Sequence, residues 1–344
     1  MRKLLNTLYI TSPDAYLSRD GENIVVLIEN KEKFRIPVHN IESIVAFGYC
    51  GASPALMSLC TERNVSLSFL SEGGRFLARI SGPVRGNVLL RKRQYQLAED
   101  KKTCLELCRL FIAAKIANSR NILQRALRDH ANEKNASELT EAISILENRQ
   151  KQVLKAEDPD TVRGIEGEAA ATYFSVFNHL IVSQNDEFYM NGRTRRPPRD
   201  KVNALLSFMY TLLANEVQSA LETVGLDPYV GFLHTLRPGR PGLALDLMEE
   251  LSSYLADRMV LTLINRRQVK AEGFITRAET GIIMDDSTRK EVITAWQKRK
   301  QEEIQHPYLQ ETIPVGLIPY AQALLFARYI RGDIDNYPVF LYFQ

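Results

Sequence analysis

One histidine and a few carboxylates stand in this chain within short apolar segments. Glu166 lies in Arg163-Gly164-Ile165-Glu166-Gly167-Glu168-Ala169-Ala170-Ala171, and His234 in Gly231-Phe232-Leu233-His234-Thr235. Asp246 and Glu249 lie one helical turn apart in Leu243-Ala244-Leu245-Asp246-Leu247-Met248-Glu249-Glu250. An imidazole with two or three carboxylates can hold Mg²⁺ or Mn²⁺ and leave positions open for phosphate and water. Basic residues crowd the same stretches: Arg193, Arg195, Arg196, Arg199 and Lys201 on one side, Arg237 and Arg240 on the other. An acidic metal site beside arginines suits cutting or joining a phosphodiester backbone.

The elements around these residues set what each can reach. Glu166 is read as opening a helix that is apolar on almost every side, from Ala169 to Ile181, and such a helix is expected to be buried. Glu168 lies roughly 200° around that helix from Glu166 and faces elsewhere. Each residue also has an ordinary role. A carboxylate in a first turn is stabilised by the helix dipole. Asp246 and Glu249 would also fit a solvated acidic helix face, and Glu250 neighbours Asp246 as well as Glu249 does, so spacing alone does not choose between the glutamates. A lone histidine serves equally as a hydrogen-bonding residue. The segment from Met190 to Lys201 reads as a basic loop stiffened by Pro197 and Pro198, able to take phosphates bidentately, with Asp200 available to pair with one arginine. Arg91-Lys92-Arg93 is a second basic cluster, with Tyr95 beside it.

At 344 residues, with 45% hydrophobic and 25% charged residues, the chain has an ordinary globular composition and length for two domains. No apolar run reaches the roughly 18 residues of a membrane span, and the N-terminus lacks a secretory signal, so a cytoplasmic, membrane-free protein is expected. Net charge is only +3, so a DNA surface has to be a local patch. Cys50, Cys60, Cys104 and Cys108 show no Cys-x-x-Cys pair and read as reduced, buried thiols. Leu341-Tyr342-Phe343-Gln344 partly resembles a protease-tag remnant and is left out of the functional reading.

The first part reads as β. Strands are expected at 7–10, 15–18, 24–28, 34–38, 44–47, 65–70 and 75–80, with a hairpin turn at Asp20-Gly21 and a helix over 53–63. At Gly82-Pro83 the pattern changes to apolar residues three and four apart, as in Cys104, Leu107, Cys108, Phe111 and Ala114. The fold class is therefore α+β: a β-rich N-terminal domain, residues 1–85, followed by a larger all-α domain, residues 86–344, that carries the site. The charged run from Ser287 to Gln305 is helix-compatible and reads as a solvated face.

Three blocks in order carry a family resemblance: Gly-x-Glu-Gly-x-Ala-Ala, Arg-Arg-Pro-Pro-x-Asp-x-x-Asn-Ala-Leu-Leu-Ser, and Phe-x-His followed by Leu-Asp-Leu-Met-Glu-Glu. They resemble the CRISPR-associated spacer-acquisition integrase, the larger, metal-dependent member of the pair of adaptation proteins, from the first strand to about residue 340. The resemblance implies a DNA endonuclease and integrase in which a prespacer 3′-hydroxyl attacks a phosphodiester at the CRISPR repeat. It implies Glu166, His234 and Glu249 as catalytic metal ligands, with Asp246 as a further or alternative ligand to Mg²⁺ or Mn²⁺. It also implies a homodimer, with contacts from the N-terminal domain, working with the second, smaller adaptation protein. Two rival readings are a non-catalytic DNA-binding scaffold and a metallophosphoesterase of small phosphate substrates.

Overall fold

The computed structural model describes residues 6–342 apart from 13, 81, 83–87, 131–132, 196 and 278–280. The N-terminal strands alternate buried and exposed side chains, as Ala15, Leu17 and Tyr16 do, and form two four-stranded sheets. One sheet runs β1 (Thr7–Ile10), β5 (Ser43–Phe47), β7 (Ser66–Leu70), β8 (Phe76–Ile80), the first three parallel and β8 antiparallel to β7. The other runs β4 (Lys31–Pro37), β3 (Asn23–Ile28), β2 (Ala15–Asp20), β6 (Gly51–Ala52). The expected Asp20-Gly21 turn joins β2 to β3, with Gly21 at φ 59°. Helix α1 (Pro54–Glu62), capped by Ser53, shares one buried cluster with Leu17, Ile24, Ile44 and Leu67 of both sheets.

The helical part follows: α2 (Val88–Glu99), α3 (Lys101–His130), α4 (Glu133–Val153), α5 (Pro159–Ser175), α6 (Lys201–Val224), α7 (Gly242–Ser252), α8 (Arg258–Asn265), α9 (Asp286–Gln301) and α10 (Ile318–Arg331). A π-helical turn, Ser253–Asp257, links α7 to α8. This part is not purely helical. Hairpins β9 (Phe274–Arg277) with β10 (Gly281–Met284), and β11 (Glu303–Gln305) with β12 (Thr312–Pro314), interrupt it. At three residues each, β11 and β12 are too short to show a period-two pattern in sequence.

The change from strands to helices falls between β8 and α2, around Gly82-Pro83. The large core nevertheless crosses it. Val45, Phe47 and Leu70 belong to the same buried cluster as α3, α6 and α7, and Phe47 stacks on Phe208 at 5.6 Å. Glu216 on α6 accepts from Lys300 Nζ at 2.9 Å and Trp296 Nε1 at 3.0 Å. Arg289, Val292, Trp296 and Lys300 of α9 are therefore buried, and the charged run 287–305 is solvated on one side only. The four cysteines are free, with Cys104 only partly buried, and burial pushes the Cys50 and Cys60 thiols up to about 11. Among the described residues no helix is long and apolar enough to cross a membrane.

Candidate active site

Asp158 caps α5 by accepting from the amides of Asp160 and Thr161 at 2.9 Å, with Pro159 at the first helical position. The helix therefore begins two turns before Glu166, which sits mid-helix, so the first-turn dipole account does not apply to it. Nor is α5 buried all round: Val162, Ala169 and Tyr173 face the core, while Gly164, Gly167, Glu168 and Ala171 are exposed. Glu168 turns away, as its angle requires, and pairs with Arg149 at 2.9 Å.

Asp246 on α7 is completely buried, which overturns a solvated acidic face. Its Oδ2 accepts from the amides of Phe232 (2.6 Å) and Leu233 (3.1 Å), and its Oδ1 from the His234 amide (3.0 Å). These bonds supply the counter-dipoles that a buried carboxylate needs. The same Oδ1 lies 2.7 Å from His234 Nδ1. Asp246 thus acts as acceptor and Nδ1 carries a proton, which turns Nε2 toward Glu249 Oε1, 3.8 Å away. A side chain on Gly231 would place its Cβ 2.6 Å from Asp246 Oδ2, so only glycine permits this approach.

The histidine loop is held from two further sides. Buried Gln94 of α2 donates to the carbonyls of Asp227 and Val230, both at 2.8 Å, and accepts from the Asp227 amide at 2.9 Å. Arg163 of α5 donates to the Leu233 carbonyl at 3.1 Å.

Lys115 of α3 completes the cluster. Its ammonium donates to Glu166 Oε1 and lies 2.7 Å from Glu249 Oε2. Burial disfavours its charge, but Glu249 and Glu166 outweigh burial and raise its pKa. The side chains of Glu166, Glu249 and Lys115 retain 26%, 15% and 17% of their exposure, so the cluster is a partly open cleft. Glu250, the neighbour that spacing left in play, turns the other way. It is fully buried, accepts from Tyr337, from Gln322 (3.1 Å) and from the Phe340 amide (2.5 Å), and burial pushes its carboxyl up to about 7.

The family described as CRISPR associated protein Cas1 matches residues 8–298 of this chain. The chain belongs to the Cas1 family. It is 49% identical over 342 residues to a CRISPR-associated endonuclease Cas1 of Chlorobaculum tepidum, covering 99% of this chain and 100% of that protein. Its fold is similar to a CAS1 protein from Thermotoga maritima (TM-score 0.83, 22% identity, 98% and 100% of the two chains). It is also similar to part of a Cas6-RT-Cas1–Cas2 complex (TM-score 0.86, 20% identity, 100% of this chain and 37% of that one).

In this chain Glu166, His234, Asp246 and Glu249 come together from three segments. The basic loop divides. Arg193 turns inward: it donates to Asn203 Oδ1 at 2.7 Å and lies over the rings of Tyr210 and Phe174, at 5.2 and 5.8 Å. Among the described residues Asp200 pairs with no arginine; it caps α6 at the Asn203 amide (2.7 Å) and binds the Asn203 side chain. Arg195, Arg199 and Arg237 are exposed, and Arg240 and Lys201 are half-buried, Lys201 over the Phe188 ring. Arg196 lies outside the described residues. Tyr95 donates to Asp227 at 2.8 Å. Lys115 was not among the sequence candidates, although it interrupts the apolar run Phe111-Ile112-Ala113-Ala114-Lys115-Ile116-Ala117.

Proposed function

We infer that this chain is a DNA endonuclease and integrase of spacer acquisition, and that its chemistry runs through Glu166, His234 and Glu249 around a divalent metal ion, Mg²⁺ or Mn²⁺. The convergence of two carboxylates and a free imidazole nitrogen from separate segments carries this reading. The donor set fits such a metal: oxygen-rich, with one nitrogen. Among the described residues no group of three His, Cys, Asp or Glu side chains forms a ready-made cage. The position of Lys115 accounts for this, because its ammonium already bridges the two glutamates.

Glu166, Glu249 and His234 Nε2 would hold the ion once the Lys115 ammonium withdraws, and Asp246 would fix the histidine tautomer without ligating, since its oxygens are already taken. When bound, the metal supplies Lewis-acid polarisation of the phosphodiester and stabilises the leaving oxygen. The displaced Lys115 ammonium would then be free to meet a phosphate oxygen. Arg195, Arg199, Arg237 and Arg240 would grip the DNA backbone. The exposed Gly164, Gly167 and Ala171 leave the approach to Glu166 low and open.

The partners proposed are prespacer DNA, the CRISPR repeat, the smaller adaptation protein and a second copy of this chain. Tyr16, Phe34, Phe76 and above all Tyr49, 92% exposed, offer the strand-rich part as the protein-contact surface. The test is cleavage of branched or single-stranded DNA and prespacer integration in Mn²⁺, with and without chelator. Glu166→Gln and His234→Ala should each lose roughly 10²–10³-fold or more in turnover while melting at an unchanged or higher temperature. Near-normal turnover in both variants, or turnover that survives chelator, overturns the metal-site reading. DNA binding without any cleavage would leave a non-catalytic scaffold.

A further inference from the structure

Two arms of the cluster, the histidine loop and α7, are tied to one short segment, residues 227–230. The Pro228 carbonyl accepts from the amides of Leu243 at 2.9 Å and Ala244 at 3.2 Å. These are first-turn amides of α7, a helix with no side-chain cap, so the segment serves as its cap. Asp246 and Glu249 follow within two turns. At its other end the segment runs through Gly231 into the amides of Phe232, Leu233 and His234 that Asp246 holds. Backbones touch here. A Cβ on Gly242 would lie 3.0 Å from the Tyr229 carbonyl oxygen and 3.2 Å from that of His234, and one on Gly231 would lie 2.6 Å from the Gly242 carbonyl carbon. Packing this close transmits a displacement instead of absorbing it. A shift of 227–230 therefore moves the histidine loop and the start of α7 together, relative to Glu166 on α5 and Lys115 on α3.

Helix α2 braces that segment. Gln94 is fully buried and commits its whole side-chain amide to it. Nε2 donates to the carbonyls of Asp227 and Val230, both at 2.8 Å, and Oε1 accepts from the Asp227 amide at 2.9 Å. Two acceptors and one donor fix which way the amide faces. A buried glutamine loses water and side-chain freedom that an apolar residue would not. Anchoring α2 does not require that cost, since Leu90 one turn earlier is buried as an ordinary core residue. Beside it, the Tyr95 hydroxyl donates to Asp227 Oδ2 at 2.8 Å, while Asp227 Oδ1 accepts from the Tyr229 amide at 2.8 Å. None of these bonds reaches His234, Asp246 or Glu249 directly.

We propose that Gln94, seconded by Tyr95, is a positioning residue for the reaction: through segment 227–230 it sets where the His234–Glu249 pair stands against Glu166. This assignment rests on the metal-site reading of the cluster.

The test uses the full chain with Gln94→Met, which keeps the length of the side chain and removes all three hydrogen bonds. Tyr95→Phe is the milder variant; Tyr95 is 40% exposed, so it should fold normally. Mn²⁺ affinity is read by calorimetry, kcat and KM by cleavage, and the imidazole resonance of His234 by NMR in chelator, assigned by its loss in His234→Ala. Well below its melting temperature, Gln94→Met should bind Mn²⁺ about tenfold more weakly and lose about tenfold in kcat, with KM for DNA unchanged. The His234 resonance should shift while that of His306, buried against Gln322, stays. Tyr95→Phe should move the same quantities in the same direction, by about threefold. A lower melting temperature with wild-type Mn²⁺ affinity, kcat and His234 resonance makes Gln94 structural only and overturns the inference. If Gln94→Met does not fold, an unchanged His234 resonance and kcat in Tyr95→Phe overturn it. A wild-type chain that neither binds Mn²⁺ nor cleaves sinks the metal-site reading. The His234 resonance then decides alone: a shift in both variants keeps Gln94 as the residue that places His234, and no shift removes it.

Discussion

Glu166 on α5 and Asp257 on the π-helical turn each lie near a cation, yet their surroundings differ. At Glu166 and Glu249 the carboxylates share Lys115 in a cleft that water reaches. About two turns beyond Glu249, Asp257 is sealed: Tyr210 donates to its Oδ1 at 2.6 Å, and Arg193 stacks on that same tyrosine. Burial pushes the Asp257 carboxyl up to about 6, against the lowering effect of Tyr210. The open cluster has charges that an incoming ion or phosphate can reorganise. The sealed one holds its carboxylate on the Tyr210 hydroxyl and its guanidinium on Asn203 and the Tyr210 ring, and ties α6 to the segment after α7. Similar residue types thus stay open to an incoming ion in one place and are committed to architecture in the other, and access to solvent separates them.

The sharpest break of that comparison is at the arginines. Arg193→Ala should cost roughly 3 kcal/mol of stability, from the lost stacking on Tyr210 and Phe174 and the lost hydrogen bonds to Asn203 Oδ1 and the Thr194 carbonyl, with no change in the salt slope of DNA binding. The paired change Arg195→Ala with Arg199→Ala should do the reverse: unchanged melting, and a slope lower by about 0.9 per duplex contact. A neutral Arg193→Ala in chemical denaturation would mean that the inner cluster is not structural.

Asp257 gives a pH signature. Its folded pKa of about 6 lies above its ordinary value of 3.8, so its contribution to stability is present below about pH 4 and is lost as pH rises through 6. Asp257→Asn keeps an acceptor for Tyr210 and removes the charge. Relative to wild type it should gain stability between pH 4 and pH 7, by up to about 3 kcal/mol for two pKa units. A difference between the two proteins that stays flat with pH would show that the carboxyl is not held in this way.

The smallest effect tests the open cluster. Lys115→Met removes the internal cation, so Mn²⁺ should bind about tenfold more tightly by calorimetry, through the stronger field of two unneutralised glutamates. Unchanged or weaker binding would place Lys115 outside the ion's position.

How far each part could be read in advance varies with what holds it. Strands β2, β3 and β7 and helix α1 were legible because alternation, the Asp20-Gly21 turn and Ser53-Pro54 are local signals. The three acidic and histidine blocks were legible as residue types in order. Lys115 was not, because a lysine in an apolar helical run has no meaning until Glu166 and Glu249 arrive from 51 and 134 residues away (166 − 115 and 249 − 115). Nor could Arg193 be told from Arg195 two positions on.

By itself the sequence determined the strand-to-helix order and the set of residues able to ligate a metal, since these depend on residue types and on neighbours within a turn or two. Tertiary structure alone decided which of those charges are spent. Asp246 and Glu250 are consumed by backbone amides and tyrosine and Arg193 by aromatic faces, while Glu166 and Glu249 share Lys115 in an open cleft beside His234. The physical reason is desolvation. A buried charge must find its partners inside the fold, and those partners come from segments that only packing brings into reach.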